Sequence, residues 1–340
     1  MIRETFEYAS SVDGTKPLLA DVAFPRDGKP KPLLVVMHGY NGSRTDVSDD
    51  MVVIAERGVF CVAPDMRGRG GSAGIWDSCG LDVHDILDAT LEAVRRYPRE
   101  IDPANLNILG YSGGGANAAF CAVRFPDLFQ TAVAFFGVTD FAAWHRSKGR
   151  VDCNAVMETA LGGPPEAVPD AYAARNANAL SHSLGTSAAG NAVGSRLHFF
   201  WDEEETQCPA FMTEEFLANY RAAGLSNVVV HASRRTDAHR WLHGYPHDHP
   251  EHLGDAANSL FLPDVLRPKT SSPRIRARGR FVVIGYLVTR RFQVWIEDGR
   301  RGQVTVDYDL GGKSPVIRVV ENPGNFKVRI ELSSPLAVLP

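Results

Sequence analysis

The sequence predicts an α/β protein, a mostly parallel central sheet flanked by helices, with a small all-β module after it. Three observations carry this. Short apolar runs alternate with helical segments as far as residue 262, the pattern of strands buried on both faces. Beyond residue 270 the rhythm changes to β-branched runs parted by Gly, Asn and Pro. The charge changes sign at the same place: residues 271–340 hold 12 Lys and Arg against 6 Asp and Glu, leaving 24 against 34 for 1–270. At 340 residues the chain exceeds the usual single domain, and it divides into 1–268 and a β-sandwich-like unit over 269–340.

In order, "KPLLADVAF" and "PLLVVMHG" read as strands, and "GVFCVAPD" follows a helical stretch as a third. "LDVHDILDATLEAVRRY" spaces Leu, Ile and Val as a helix does. "NLNILGYS" is a strand, "GGANAAFCAVRFP" a helix and "TAVAFFG" a strand. About sixty residues without strand character come next, and the part near 140–195 is expected to form a lid. "RLHFFWDEE", the helix "PAFMTEEFLANYRAAG", the strand "NVVVHA" and a helix near 250–262 complete the first unit. "FVVIGYLV", "RFQVWIED", "GQVTVDYDL", "PVIRVV" and "FKVRIEL" predict five strands in the second.

Composition is that of a soluble globular chain: 44% apolar, 22% charged, net charge −4. Such a balance argues against nucleic-acid and membrane partners. No run reaches membrane-spanning length and the N-terminus has no apolar leader region, so a cytoplasmic protein is expected. The five cysteines are odd in number and form no C-x-x-C pair, which fits reduced thiols. Neither a metal nor a cofactor is expected.

The chemistry centres on "GYSGGG". Ser112 is the third residue of G-x-S-x-G, directly after a strand and before a helix, the setting of a nucleophile elbow. The helix dipole behind it favours developing negative charge. A nucleotide-binding turn is a poorer fit, because the P-loop lysine is missing and Ser112 replaces the middle glycine of G-x-G-x-x-G.

A nucleophilic serine needs a base and an acid that orients it. Five histidines follow "VVVHA": His239, His243, His247, His249 and His252. His243, opening "HGY" before the last helix, is the expected base, and the others are expected in solvent. Four acids follow "RLHFFW": Asp202, Glu203, Glu204 and Glu205. Chemistry alone does not choose among them. Trp76, Trp144 and Trp241 are candidates for an acyl pocket, with core packing the equal alternative. Cys79 and Cys121 are expected as core fillers, and Asp65 and Arg67 as braces of their loop.

The chain resembles α/β-hydrolases of the prolyl oligopeptidase and dipeptidyl aminopeptidase type. The residues that carry the resemblance are "HGYNGS" at 38–43, "DMRGRGGS" at 65–72, "GYSGGG", "LGGPPEAVPDAY" at 161–172, "DEEETQCP" at 202–209 and "HGY" at 243–245. It spans 30–262 and leaves the C-terminal module out. The family's acid is usually an Asp of a D-x-x-V-P loop. That position falls on Glu205 here, so the resemblance implies a Ser112–Glu205–His243 triad with Asp202 as the reserve acid. It also implies an oxyanion hole from the backbone N–H groups of Tyr40 and Gly113.

The expected activity is a serine hydrolase forming an acyl-enzyme on Ser112. Carboxylic esters are favoured over peptides, because only about thirty residues precede the "HG" strand, too few for the propeller that gates the family's peptidases. A peptidase is the alternative. Of another class would be a hydrolase fold that binds ligands without turnover, or one whose C-terminal module binds glycans. Homo-oligomers through that module are a further expectation.

Overall fold

The computed structural model describes every residue except 239, 244–249, 313 and 340, and only the backbone of 250–254. Eight strands form the large sheet: β1 (Ile2–Tyr8), β2 (Leu18–Phe24), β3 (Lys31–Met37), β4 (Phe60–Pro64), β5 (Ile101–Tyr111), β6 (Thr131–Phe135), β7 (Arg196–Asp202) and β8 (Val228–Ser233). Their order is β1-β2-β4-β3-β5-β6-β7-β8. The β1–β2 and β2–β4 pairings are antiparallel, and every pairing from β4 onward is parallel. β1 is the strand that apolar pattern does not mark: of its seven residues only Phe6 and Tyr8 are buried.

Side chains of β3 alternate between the two faces as a period of two requires. Leu33, Val35 and Met37 join one core, and Leu34 and Val36 the other. The first core lies under α2 (Leu81–Arg96), α3 (Gly113–Arg124) and α7 (Phe211–Ala222), and the second under α1 (Ser48–Ala55) and α8 (Pro250–Leu266). The insertion between β6 and β7 holds α4 (Phe141–Ser147), α5 (Val151–Leu161) and α6 (Pro169–Ala173).

The C-terminal region departs from expectation in two ways. It has six strands, not five: β9 (Arg278–Ile284), β10 (Tyr286–Val288), β11 (Gln293–Ile296), β12 (Gln303–Asp309), β13 (Val316–Glu321) and β14 (Val328–Glu331). "FVVIGYLV" is broken at Gly285, whose φ of +72° and closeness to the Gly299 carbonyl admit no side chain. The strands also form one antiparallel sheet, β13-β12-β9-β10-β11-β14, in place of a two-sheet sandwich. One face closes over its own cluster of Phe281, Val283, Val294, Ile296 and Val306.

The other face is docked. Val282, Ile284, Tyr286, Val288 and Trp295 belong to the same core as α2 and α3, so apolar packing runs unbroken past residue 268. Arg124, at the end of α3, is fully buried in this seam. It donates to the carbonyls of Cys79 (2.7 Å), Gly80 (3.0 Å), Ala174 (2.7 Å) and Ile284 (3.2 Å), and its guanidinium lies 4.4 Å from the Tyr286 ring centre.

Candidate active site

The end of β5 runs straight into α3, and the residue at the junction is Ser112. Its backbone sits at φ 56°, ψ −115°, a left-handed conformation that a non-glycine residue adopts only when its surroundings impose it. Those surroundings are visible. The Ser112 N–H donates to the Phe135 carbonyl (2.8 Å), fastening the turn to β6. A side chain at Gly110 would strike the Gly114 carbonyl, and one at Gly114 the carbonyls of Met37 and His38. The glycines of G-x-S-x-G are therefore demanded by the close crossing of strand and helix.

The crossing also sets the expected oxyanion donors against each other. A Cβ on Gly113 would lie 2.6 Å from the Cα of Tyr40, so the backbones of residues 40 and 113 are in contact. The loop carrying Tyr40 is fixed by His38, which is fully buried. Its Nε2 accepts from the Met66 N–H (3.1 Å), so its proton resides on Nδ1 and is donated to the Gly39 carbonyl (2.8 Å). Burial pushes the His38 pKa down and keeps it neutral. Tyr40 turns inward: its hydroxyl meets Ser78 Oγ at 2.7 Å, and its ring packs edgewise on Trp76 and Trp144. Those tryptophans wall the oxyanion loop, whereas Trp241 packs edgewise on Phe200 in the other core.

Glu205 and His243 come together, and Asp202 is occupied elsewhere. The Glu205 side chain is 1% exposed and that of His243 20%, with Oε1 and Nδ1 4.0 Å apart. Glu205 accepts the backbone N–H of Gln207 (2.7 Å) and Cys208 (3.3 Å) through Oε1, and that of His243 through Oε2. One carboxylate thus ties its own loop to the loop of the base. His243 Nδ1 is buried and has no hydrogen-bond partner among the described residues; Glu205 is the nearby carboxylate it can turn toward. Catalytic hydrogen bonds are commonly this long before substrate binds. Asp202 accepts two bonds from Arg240 (3.0 and 2.9 Å), with Ser233 Oγ at 2.7 Å and the Glu204 N–H at 2.9 Å. Burial raises its pKa, but Arg240 and Ser233 outweigh this and hold the carboxyl below the usual range.

His243 lies in an environment that favours neutral imidazole. Burial, and next the positive charge of Arg150, bring its pKa down to about 4. Burial raises that of Glu205. Phe136 links the base to the elbow: it follows Phe135, whose carbonyl holds Ser112, and its ring faces His243 at 5.5 Å.

Two residues near the site were not singled out from the sequence. Cys208 Sγ lies 3.8 Å from Ser112 Oγ, and burial pushes its thiol up to about 12. Arg150, just before α5, pairs with Asp152 (2.8 and 2.6 Å) and reaches Gln207 Oε1 at 3.1 Å. Nothing local in "GRVDC" or "TQCP" signals this, because it depends on how the insertion folds over the sheet. Cys79 and Cys121 are buried in the core, and all five cysteines are free. Asp65 and Arg67 do brace their loop: Asp65 accepts from Arg44 and Ser72, and Arg67 pairs with Asp85 and Asp13. His239, His247 and His249, and the side chain of His252, lie outside the described residues. Among the described residues no group of three or more His, Cys, Asp or Glu is placed to hold a metal ion, and no helix is long and apolar enough to cross a membrane.

Comparison with known proteins agrees with this architecture. Residues 45–181 match the prolyl oligopeptidase family. An uncharacterized peptidase of Bacillus subtilis, YtmA, is 27% identical over 168 residues, 49% of this chain and 63% of its own. The acylaminoacyl peptidase of Pyrococcus horikoshii superposes over 79% of this chain and 42% of its own, with a TM-score of 0.58 at 18% identity. An esterase of Pyrococcus furiosus superposes over 77% of this chain and 92% of its own, with a TM-score of 0.54 at 13% identity. The chain thus spans less than two thirds of either peptidase, and the structural likenesses establish the fold.

Proposed function

We propose, for a chain that is an α/β-hydrolase of the prolyl oligopeptidase-like kind, that Ser112 is the nucleophile of a serine hydrolase. His243 takes the proton from Ser112 Oγ as that oxygen attacks the substrate carbonyl. The tetrahedral oxyanion is held by the N–H groups of Tyr40 and Gly113, each such donor being worth about 3–4 kcal/mol in the transition state. His243 then gives its proton to the leaving group, and a water that it deprotonates releases the acyl group. Glu205 orients the imidazole and stabilises its charged form. The observation that carries this reading is the left-handed backbone of Ser112 at the mouth of α3, with the Tyr40 backbone packed on Gly113.

For the substrate we favour a carboxylic ester, the bond with the easier leaving group. The Pyrococcus furiosus esterase, matched over nearly its whole length, supports this. Peptide or aminoacyl-amide cleavage is the second reading, favoured by the family match and by the Bacillus peptidase.

The test has two parts. A fluorophosphonate probe should label Ser112, and a label mapped to another residue would end the proposal. Short esters, long esters and aminoacyl-amides assayed side by side then separate the readings. Ester kcat/KM exceeding that for the matched amide by no more than the intrinsic reactivity difference would favour the peptidase.

A further inference from the structure

A polar cavity that Ser112, Glu205 and His243 do not line has a volume of about 440 Å³. Four separate parts of the chain wall it: the loop 13–15, the loop 67–77, the lid helices α5 and α6, and the turn 298–301 before β12. It holds four guanidinium groups, Arg67, Arg175, Arg300 and Arg301, against three carboxylates, Asp13, Asp77 and Asp298. Arg67 and Arg175, each 1% exposed, form its interior wall, while Arg300, with 42% of its side chain exposed, and the exposed Arg301 stand at its mouth.

The carboxylates are engaged, and so are the two buried arginines: Arg67 pairs with Asp85 (2.7 and 2.7 Å) and Asp13, and Arg175 donates to the carbonyls of Asp77, Ala171 and Arg300. Asp77 accepts the N–H groups of Gly80, Leu81 and Asp82 at 3.1, 2.7 and 3.3 Å, capping α2. Asp298 accepts the Arg300 N–H at 3.0 Å. Asp13 takes the Thr15 N–H at 3.1 Å and Arg67 at 2.8 Å. Arg300 donates one long hydrogen bond, from Nη2 to Asp13 at 3.4 Å, and its Nε, 3.7 Å from Asp77, is buried without a hydrogen-bond partner. Among the described residues no side chain pairs with Arg301. A buried donor without an acceptor is costly. Planar guanidinium forks are the groups that best match the paired oxygens of a carboxylate or phosphate.

We infer that this cavity binds a small molecule bearing a carboxylate or phosphate group, held by Arg300 and Arg301 at its mouth, above a floor that the paired Arg67 and Arg175 keep rigid. Such a ligand bridges the C-terminal sheet to the lid. It also touches the segment that continues into Trp76 and Ser78, the two residues packed on Tyr40.

The test is a binding measurement on the full chain and does not depend on hydrolytic activity. Inorganic phosphate and succinate are titrated separately by calorimetry, against sodium chloride of equal ionic strength. At least one should bind saturably, and the stronger of the two identifies the group recognised. Arg300→Gln and Arg301→Gln should each weaken that binding at least tenfold, while Arg329→Gln, outside the cavity, should leave it alone. Hydrogen exchange in residues 74–77, 160–175 and 298–301 should slow on saturation. Failure of both probes to bind saturably overturns the inference, as does equal binding by the Arg301→Gln variant or an effect that chloride reproduces.

Discussion

The two sheets of this molecule use the same building material for opposite ends. In the large sheet, parallel strands are buried on both faces, and every candidate catalytic group lies on loops at their carboxyl ends. In the small sheet, antiparallel strands enclose a core of their own on one face and present the other to α2 and α3. None of the candidate triad or oxyanion residues lies in it. Yet its backbone and Tyr286 help to hold Arg124, at the far end of the helix that Ser112 opens. The contrast teaches a division of labour: changes at the strand ends should stop chemistry and leave the fold standing, whereas changes at the seam should loosen the fold first.

The sharpest test of the first half is Ser112→Ala. Loss of the nucleophile in comparable triads costs about 10⁶-fold in kcat, and the circular dichroism spectrum should be unaltered. Turnover within tenfold of the parent protein would remove the large sheet from the chemistry altogether. Next comes the acid. Glu205→Gln should lower kcat by about 10³–10⁴-fold, the loss seen when a triad carboxylate becomes an amide. Asp202→Asn should cost far less, because Asp202 is engaged with Arg240 and Ser233. The reverse ranking would reassign the acid.

Those two carboxylates also mark how far the sequence could be read. Ser112 was legible because an elbow is local: its glycines, strand and helix are neighbours in the chain. The acid was not legible from residue chemistry, and only the resemblance pointed to Glu205, since Asp202 and Glu205 differ in what the fold sets beside them, Arg240 for one and the His243 backbone for the other. The large sheet was legible through its alternating apolar runs, all but β1, whose partly solvated edge carries only two buried residues. Gly285 hid a sixth strand inside one apolar run. The docking of the small sheet was invisible, because Arg124 is satisfied mainly by carbonyl oxygens, and every residue type supplies those.

The seam is tested by Arg124→Met. The substitution keeps an aliphatic side chain but removes the guanidinium that faces Tyr286 and leaves several buried carbonyls without a donor. It should destabilise by about 3–5 kcal/mol. Urea unfolding followed by fluorescence should show one transition moved to lower midpoint, with kcat of the folded fraction nearly intact. Two separate transitions in the parent protein would show that the sheets do not share a core.

The smallest expected effect is in the pH profile, and it probes the insertion that carries Arg150. Neutral His243 is the proposed base, and its pKa lies near 4 through burial first and Arg150 second. Activity should therefore be full near neutrality and fall only as the pH drops through about 4. The folded value lies below the unfolded one of about 6.5, so the unfolded chain binds more protons between them. The stability contributed by this group is present above pH 6.5 and is lost as the pH falls toward 4. Arg150→Gln removes a repelling cation and strips Asp152 of its partner, and both changes make it easier for His243 to take up a proton. The acid limb of kcat/KM should move upward by on the order of half a pH unit, and 1 M salt should shrink the move by screening charges beyond about 3 Å. A limb that stays in place would separate Arg150 from the site, and one that moved downward would reverse the sign of its influence on His243.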